Sequence, residues 1–332
     1  MYRTMFGACV LAVSSASVGC AVWQRAPRST NHVILVGHGP PASGILVMAH
    51  GGDAAWNEDV EKTIAPLRER FTLEIAYGMA STTTLREAVQ RLEARGAKQI
   101  AVVRMFISGE SFLEQTEYIL GLRSEVPPPI VAPGPLPGDS AHGAAHVAQG
   151  DGHSDHCMDK PEPIGSKSAF VLSAEGVADS SLVDEILVDR AQALSKDPSR
   201  ESILLLGHGP GDDGENQRWL AKMNRRAKRI SDLGTFRAVQ CETLREDWPD
   251  KRVAAEQRIR RFMEEHGREG GRVIVIPFRV AGFGPYREVL EGLSYISDGR
   301  GFCPHPNMTE WIERTANDCF RRLGSPARAN SH

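Results

Sequence analysis

The chain is poor in aromatic residues, 6% of the total, and nearly balanced in charge, with 39 basic against 42 acidic side chains. That balance, with no long basic block, argues against a surface for nucleic acid. No Cys-x-x-Cys pair occurs among the six cysteines. There is no Gly-x-Ser-x-Gly elbow, no Walker loop and no dinucleotide fingerprint, so a serine esterase and a nucleotide-dependent enzyme are both disfavoured. Its longest amino-terminal apolar run, Met5 to Val13, is too short to span a bilayer as a permanent helix. What remains, 332 residues that are 41% apolar and 24% charged, is ordinary globular composition and long enough for about two domains.

The first residues read as an export signal: Arg3, the short apolar run, then small residues up to Cys20. Ser17-Val18-Gly19-Cys20 resembles a bacterial lipoprotein box, with Ser17 where Leu is usual. Residues 1–20 are therefore expected to be a signal peptide, Cys20 a lipidated anchor facing the periplasm or cell exterior, and residues 21–43 a tether; plain export and a frayed cytoplasmic terminus are the alternatives. Among the other cysteines, Cys241 and Cys319 read as buried or unpaired thiols.

Two segments repeat. Gly44-Ile-Leu-Val-Met-Ala-His50-Gly51 is echoed by Ser202-Ile-Leu-Leu-Leu-Gly-His208-Gly209, each followed by an Asn (Asn57, Asn216) opening a helical pattern. Further on, Gln99–Gly109 matches Arg272–Gly282, and both lead into helices ending in Gly-Leu. Two pairs in the same order point to a duplication. The first half reads as strands near 44–49, 72–77 and 99–106 with helices near 57–70 and 84–95. The second repeats this with strands near 202–206, 235–241 and 272–277. Continuous apolar strands alternating with amphipathic helices predict an α/β fold: two similar domains, residues 44–123 and 169–325, each a parallel sheet with helices on both faces. In such sheets ligands bind beyond the carboxyl ends of the strands, where His50 and His208 fall.

Residues 124–168 are rich in Pro and Gly and read as a linker. Four of the eleven histidines, His142, His146, His153 and His156, lie there beside Cys157. Several imidazoles on one segment form a candidate auxiliary site for a divalent metal; a solvated polar loop is the alternative.

The His-Gly strand ends, Trp56-Asn57, Leu73–Ala80 and Lys98–Gly109 together resemble the sirohydrochlorin chelatase family, class II metal chelatases that insert Co or Fe into a tetrapyrrole without ATP. The resemblance runs over residues 44–122 and, more weakly, over 202–320, as a two-repeat form. It implies two facing α/β domains with the tetrapyrrole between them and His50 as a metal ligand, with His208 its counterpart. The family's acidic position falls near Met79 in the first half and Glu242 in the second. Its second histidine falls near Ser111, beside Glu110, and at Gly284, so each half departs from the pattern. The expected site is accordingly His50, His208 and Glu242 for catalysis, and His50, His208, Glu110 and Met79 for the metal, with Glu114 a further donor. Arg104 and Arg279 are expected to meet the carboxylates of the substrate. His305 either reaches the crevice or packs in its turn. The metal is expected as substrate, Co²⁺ or Fe²⁺ or else Ni²⁺, with no nucleotide. The competing expectation is an exported lipoprotein that binds metal or tetrapyrrole without catalysis.

Overall fold

In the computed structural model, which describes residues 42–128 and 160–324, every strand pairing is parallel. The first sheet contains β1 (Ser43–Ala49), β2 (Leu73–Tyr77), β3 (Gln99–Arg104) and β4 (Ala169–Leu172) in the order β2-β1-β3-β4. The second contains β5 (Glu201–Gly207), β6 (Ala238–Thr243) and β7 (Arg272–Pro277) in the order β6-β5-β7. The helices are α1 (Ala54–Arg68), α2 (Thr82–Ala94), α3 (Leu113–Ile119), α4 (Leu182–Leu194), α5 (Asp213–Ser231), α6 (Pro249–Gly267), α7 (Tyr286–Val289) and α8 (Pro306–Gly324). The expected duplication is thus present as two α/β layers with equivalent central strands.

Alternation explains why those central strands are apolar throughout. Along β1, Ile45, Val47 and Ala49 enter one core and Leu46 and Met48 another; along β5, Ile203 and Leu205 face one way and Leu204 and Leu206 the other. The inward faces of both sheets drain into a single core, filled by Val60, Ile64 and Leu67 of α1, Ile186 and Leu187 of α4, Met223 and Ile230 of α5, and Trp311, Ile312 and Phe320 of α8. The outer faces carry separate cores, one under α2 and one under α6.

The expected division at residue 169 is corrected. β4 joins the first sheet beside β3, with Ile100 opposite Phe170 and Val102 opposite Leu172. The last helix also returns to the first half: Thr309 Oγ1 donates to Thr63 O at 2.7 Å, Arg322 Nη1 to Leu172 O at 2.9 Å, and Arg70 forms a two-pronged ion pair with Glu313. A chain with its halves exchanged in this way gains a shared core at the cost of long-range closure.

Two boundaries moved as well. Helix α1 begins three residues before Asn57, capped by Asp53, whose Oδ1 accepts from Trp56 N at 2.7 Å; Asp212 does the same for Glu215 N in α5. Asn57 and Asn216 are braces rather than helix starts. Asn57 holds Gly52 through its N–H and carbonyl, and Asn216 Oδ1 accepts from Thr243 Oγ1 at 2.8 Å. Strand β6 runs later than expected, to Thr243.

A single inward core requires both halves to lose structure together. Trp311→Ala, which empties a 4% exposed position, is expected to cost about 3–5 kcal/mol and to lower hydrogen-exchange protection in β1 and β5 alike. Loss confined to β1 amides would show instead that the halves unfold separately.

Candidate active site at the strand-end histidines

His50 and His208 leave their strands in the same way. In each, the ring Nδ1 lies 2.8 Å from the next residue's carbonyl, Gly51 O or Gly209 O, and since a carbonyl only accepts, Nδ1 carries the proton and donates. Each following glycine sits at positive φ, +84° and +79°, and a Cβ on Gly209 would lie 2.6 Å from Thr243 Cβ. The turn that aims the histidine therefore needs glycine.

Their Nε2 atoms differ. His50 is solvent-exposed and its Nε2 has no hydrogen-bond partner among the described residues. Nearby protein desolvates the ring and holds its pKa below the ordinary imidazole value; His208 and Arg279 add to the shift, while the Gly51 carbonyl and Asp247 oppose it. His50 thus presents a lone pair at neutral pH. Its pKa responds to His208, Arg279 and Asp247 of the second half, and Trp56 of the first half lies against Gly282 of the second.

His208 Nε2 lies 2.9 Å from Asp247 Oδ2 and 3.8 Å from Glu246 Oε2. Acceptors at both ring nitrogens favour the imidazolium form. Burial alone would lower its pKa, but the Glu246 and Asp247 carboxylates outweigh it and hold the group above the ordinary value. Glu246 is itself fixed: its side chain is 6% exposed and accepts from Arg279 Nη1. The Arg279 guanidinium lies 5.7 Å from the ring of the fully buried Tyr286 and fills the space where a Cβ on Gly284 would sit. Trp248 meets His208 edge-on at 6.0 Å and packs on Gly211, and Trp56 of the first half reaches within 3.3 Å of the Cβ position of Gly282.

Several expected residues lie elsewhere. Glu242 points to the outer face of its sheet, where it accepts from Gln240 Nε2 and Arg258 Nε at 3.0 and 3.1 Å, because β6 continues past it. Glu110 is committed to Arg218 of α5, at 2.6 and 3.0 Å, and Glu114 to Arg123 at 2.9 Å. Arg104 is 1% exposed and is structural: it donates to Ser173 O, Gly109 O and Ser111 O, tying the loop after β3 to the end of β4. Arg279 is at the site but spends its charge on Glu246. His208 offers no lone pair for a metal while Asp247 holds it. Met79 lies in the bend after β2, beside His50, where Gly78 N donates to Ala49 O and His50 O at 3.0 Å. His305 packs in its turn, with Nδ1 accepting from Asn307 N and Nε2 3.2 Å from Asp189. Cys241, Cys303 and Cys319 are free and buried. Cys20, His142, His146, His153, His156 and Cys157 lie outside the described residues. Among the described residues, no group of three or more His, Cys, Asp or Glu is placed to hold a metal ion.

The residues not foreseen are Glu246, Asp247, Trp248 and Tyr286. The first three fall between the end of β6 and Pro249, which opens α6. An acidic pair in a strand-to-helix loop at the carboxyl edge was the available signal. Arg245, at φ +60°, turns the chain there and anchors on Gly211 O at 2.5 Å.

Residues 44–113 match the family model described as CbiX. Among curated proteins none matches the chain. Among solved structures, SirB from Bacillus subtilis with Fe³⁺ is 12% identical, covers 85% of this chain and 98% of its own, and superposes with a TM-score of 0.53. SirB from Bacillus subtilis subspecies spizizenii in complex with cobalt is 10% identical, with 84% and 96% coverage and a TM-score of 0.51. DR2241 from Deinococcus radiodurans, a multi-domain protein with structural similarity to chelatases, is 16% identical over 83% of this chain at a TM-score of 0.48; the present chain spans 55% of it. The CbiX match thus lies in the first half, and over both halves the fold is similar to that of SirB, a sirohydrochlorin chelatase.

Proposed function

We propose that the cleft at His50 and His208 inserts a divalent metal, Co²⁺ or Fe²⁺ or else Ni²⁺, into a sirohydrochlorin-like tetrapyrrole without ATP. One observation carries this reading: two equivalent strand-end histidines differ at Nε2, where His208 faces the Asp247 carboxylate at 2.9 Å and His50 has no hydrogen-bond partner among the described residues. A pair of titratable groups pushed apart in this way divides the labour of a reaction.

Metallation exchanges two pyrrole N–H protons for one dication. His50 Nε2 supplies a lone pair that first contacts the metal substrate. As the metal moves to the ring nitrogens, the same lone pair is released and takes a pyrrole proton, which passes from the exposed imidazole to water. The second proton follows the same route. His208, charged and backed by Glu246 and Arg279, faces the anionic substrate instead of the metal. Trp248 offers apolar surface beside His208, and Trp56 beside Gly52 in the turn after His50.

The alternative is a module that binds metal or tetrapyrrole without turnover. It is favoured by the lack of an assembled set of three donors among the described residues. The reading also includes export and a lipid anchor, supported by the order of residues 1–20. Labelling with radioactive palmitate in a bacterial host should mark the wild type and not Cys20→Ala; equal labelling of both would exclude Cys20 as the anchor.

A metal-insertion assay with Co²⁺ and sirohydrochlorin separates the two functions. Wild type should exceed the uncatalysed rate, and His50→Ala should lower that rate by about a hundredfold or more. Metal or tetrapyrrole bound with no acceleration would support the binding module.

The pH profile follows from the same pair. Activity needs His50 neutral and His208 charged, so the acid limb should lie below the ordinary imidazole midpoint of about 6.5 and the alkaline limb above it. For folding, the raised pKa of His208 contributes stability that is complete below about 6.5 and lost as pH rises through its folded midpoint. NMR titration of the two rings checks both; His208 titrating below His50 would contradict the assignment.

A further inference from the structure

The carboxylates around His208 are not equivalent. Glu246 is 6% exposed and locked to Arg279, whereas Asp247, the closer of the two at 2.9 Å, is 41% exposed and lies on the solvent side of the same turn. Glu246 Oε2 lies 3.8 Å from Nε2, and its carboxylate favours the charged ring while Arg279 opposes it. Gly284 leaves room for that guanidinium, and Gly209 O fixes the ring from the other nitrogen. The outward Nε2–H is therefore a preorganised, charge-assisted donor for one carboxylate.

We infer that this donor is a carboxylate-binding position, filled in the free protein by Asp247, which a carboxylate of the tetrapyrrole takes over on binding. The inference rests on the proposed reading of the cleft as a tetrapyrrole site, and names what in it selects an acidic macrocycle. Exchange of one carboxylate for another leaves the number of charges facing His208 unchanged, so binding does not expose an uncompensated buried cation. In this scheme His208 is a positioning residue and Asp247 a resident competitor that weakens binding of every ligand lacking a stronger carboxylate. No metal is required for the exchange.

The test is a fluorescence titration of the full chain with metal-free uroporphyrin, which carries eight carboxylates. Asp247→Asn should bind it about tenfold more tightly than wild type, the worth of one charge-assisted contact at this range. His208→Ala should bind more weakly. Adding Asp247→Asn to His208→Ala should then change nothing, which separates competition for one donor from a general fall in negative charge. In wild type, the His208 ring resonances should shift on addition of uroporphyrin, a readout that survives if the alanine variant is unstable. Equal or weaker binding by Asp247→Asn, or the same gain in the His208→Ala background, overturns the inference while leaving the cleft a tetrapyrrole site. No binding of uroporphyrin by wild type or variant overturns both.

Discussion

Everything at the site depends on one packing constraint: the inward faces of two parallel sheets share a single apolar core. Helices α1, α4, α5 and α8 fill it together, so neither sheet can bury its face alone. The carboxyl edges of β1 and β5 are fixed relative to one another by that shared layer. Ion pairs that cross between the halves, Glu110 with Arg218 and Asp179 with Lys222, lie near the same edges and act at the surface of an arrangement already set by the core. Two histidines on separate sheets are brought into electrostatic contact by hydrophobic burial rather than by any bond between them.

Duplication supplied two equivalent turns, and substitution around one of them removed the equivalence. Both histidines donate Nδ1–H to the next carbonyl, so both start with the same tautomer and the same outward nitrogen. The first half places Met79 after its second strand; the second places Glu246 and Asp247. That difference sets a carboxylate against Nε2 of His208 and none against Nε2 of His50 among the described residues. Acquiring the acidic pair required its own support, in which Arg279 neutralises Glu246 and Gly284 makes way for Arg279.

Much of this was legible before the structure. Apolar runs closing on His-Gly located β1 and β5, their order with the amphipathic helices located the parallel sheets, and the strand ends located the histidines. What escaped has specific causes. β4 is four residues long and follows a Pro/Gly-rich segment, so no periodicity marks it, and only pairing with β3 makes it a strand. Glu242 falls near the acidic position that the family resemblance implies at the end of the second strand; β6 in fact runs on to Thr243, Glu242 faces outward, and the carboxylates facing His208 lie in the following loop. Arg104 illustrates a different limit, since an arginine beside a proposed site is read as a surface cation until three carbonyls around it show that it is a buried tie.

The return of α8 to the first sheet has a further consequence for how the chain comes into being. Synthesis proceeds from the amino terminus, yet β3 and β4 are covered by Pro306–Gly324, more than 130 residues after β4. The first half therefore lacks one wall of its core until the second half has been made, and closing it is a late, non-local step. A chain of this topology completes its first core only when nearly all of it has been made.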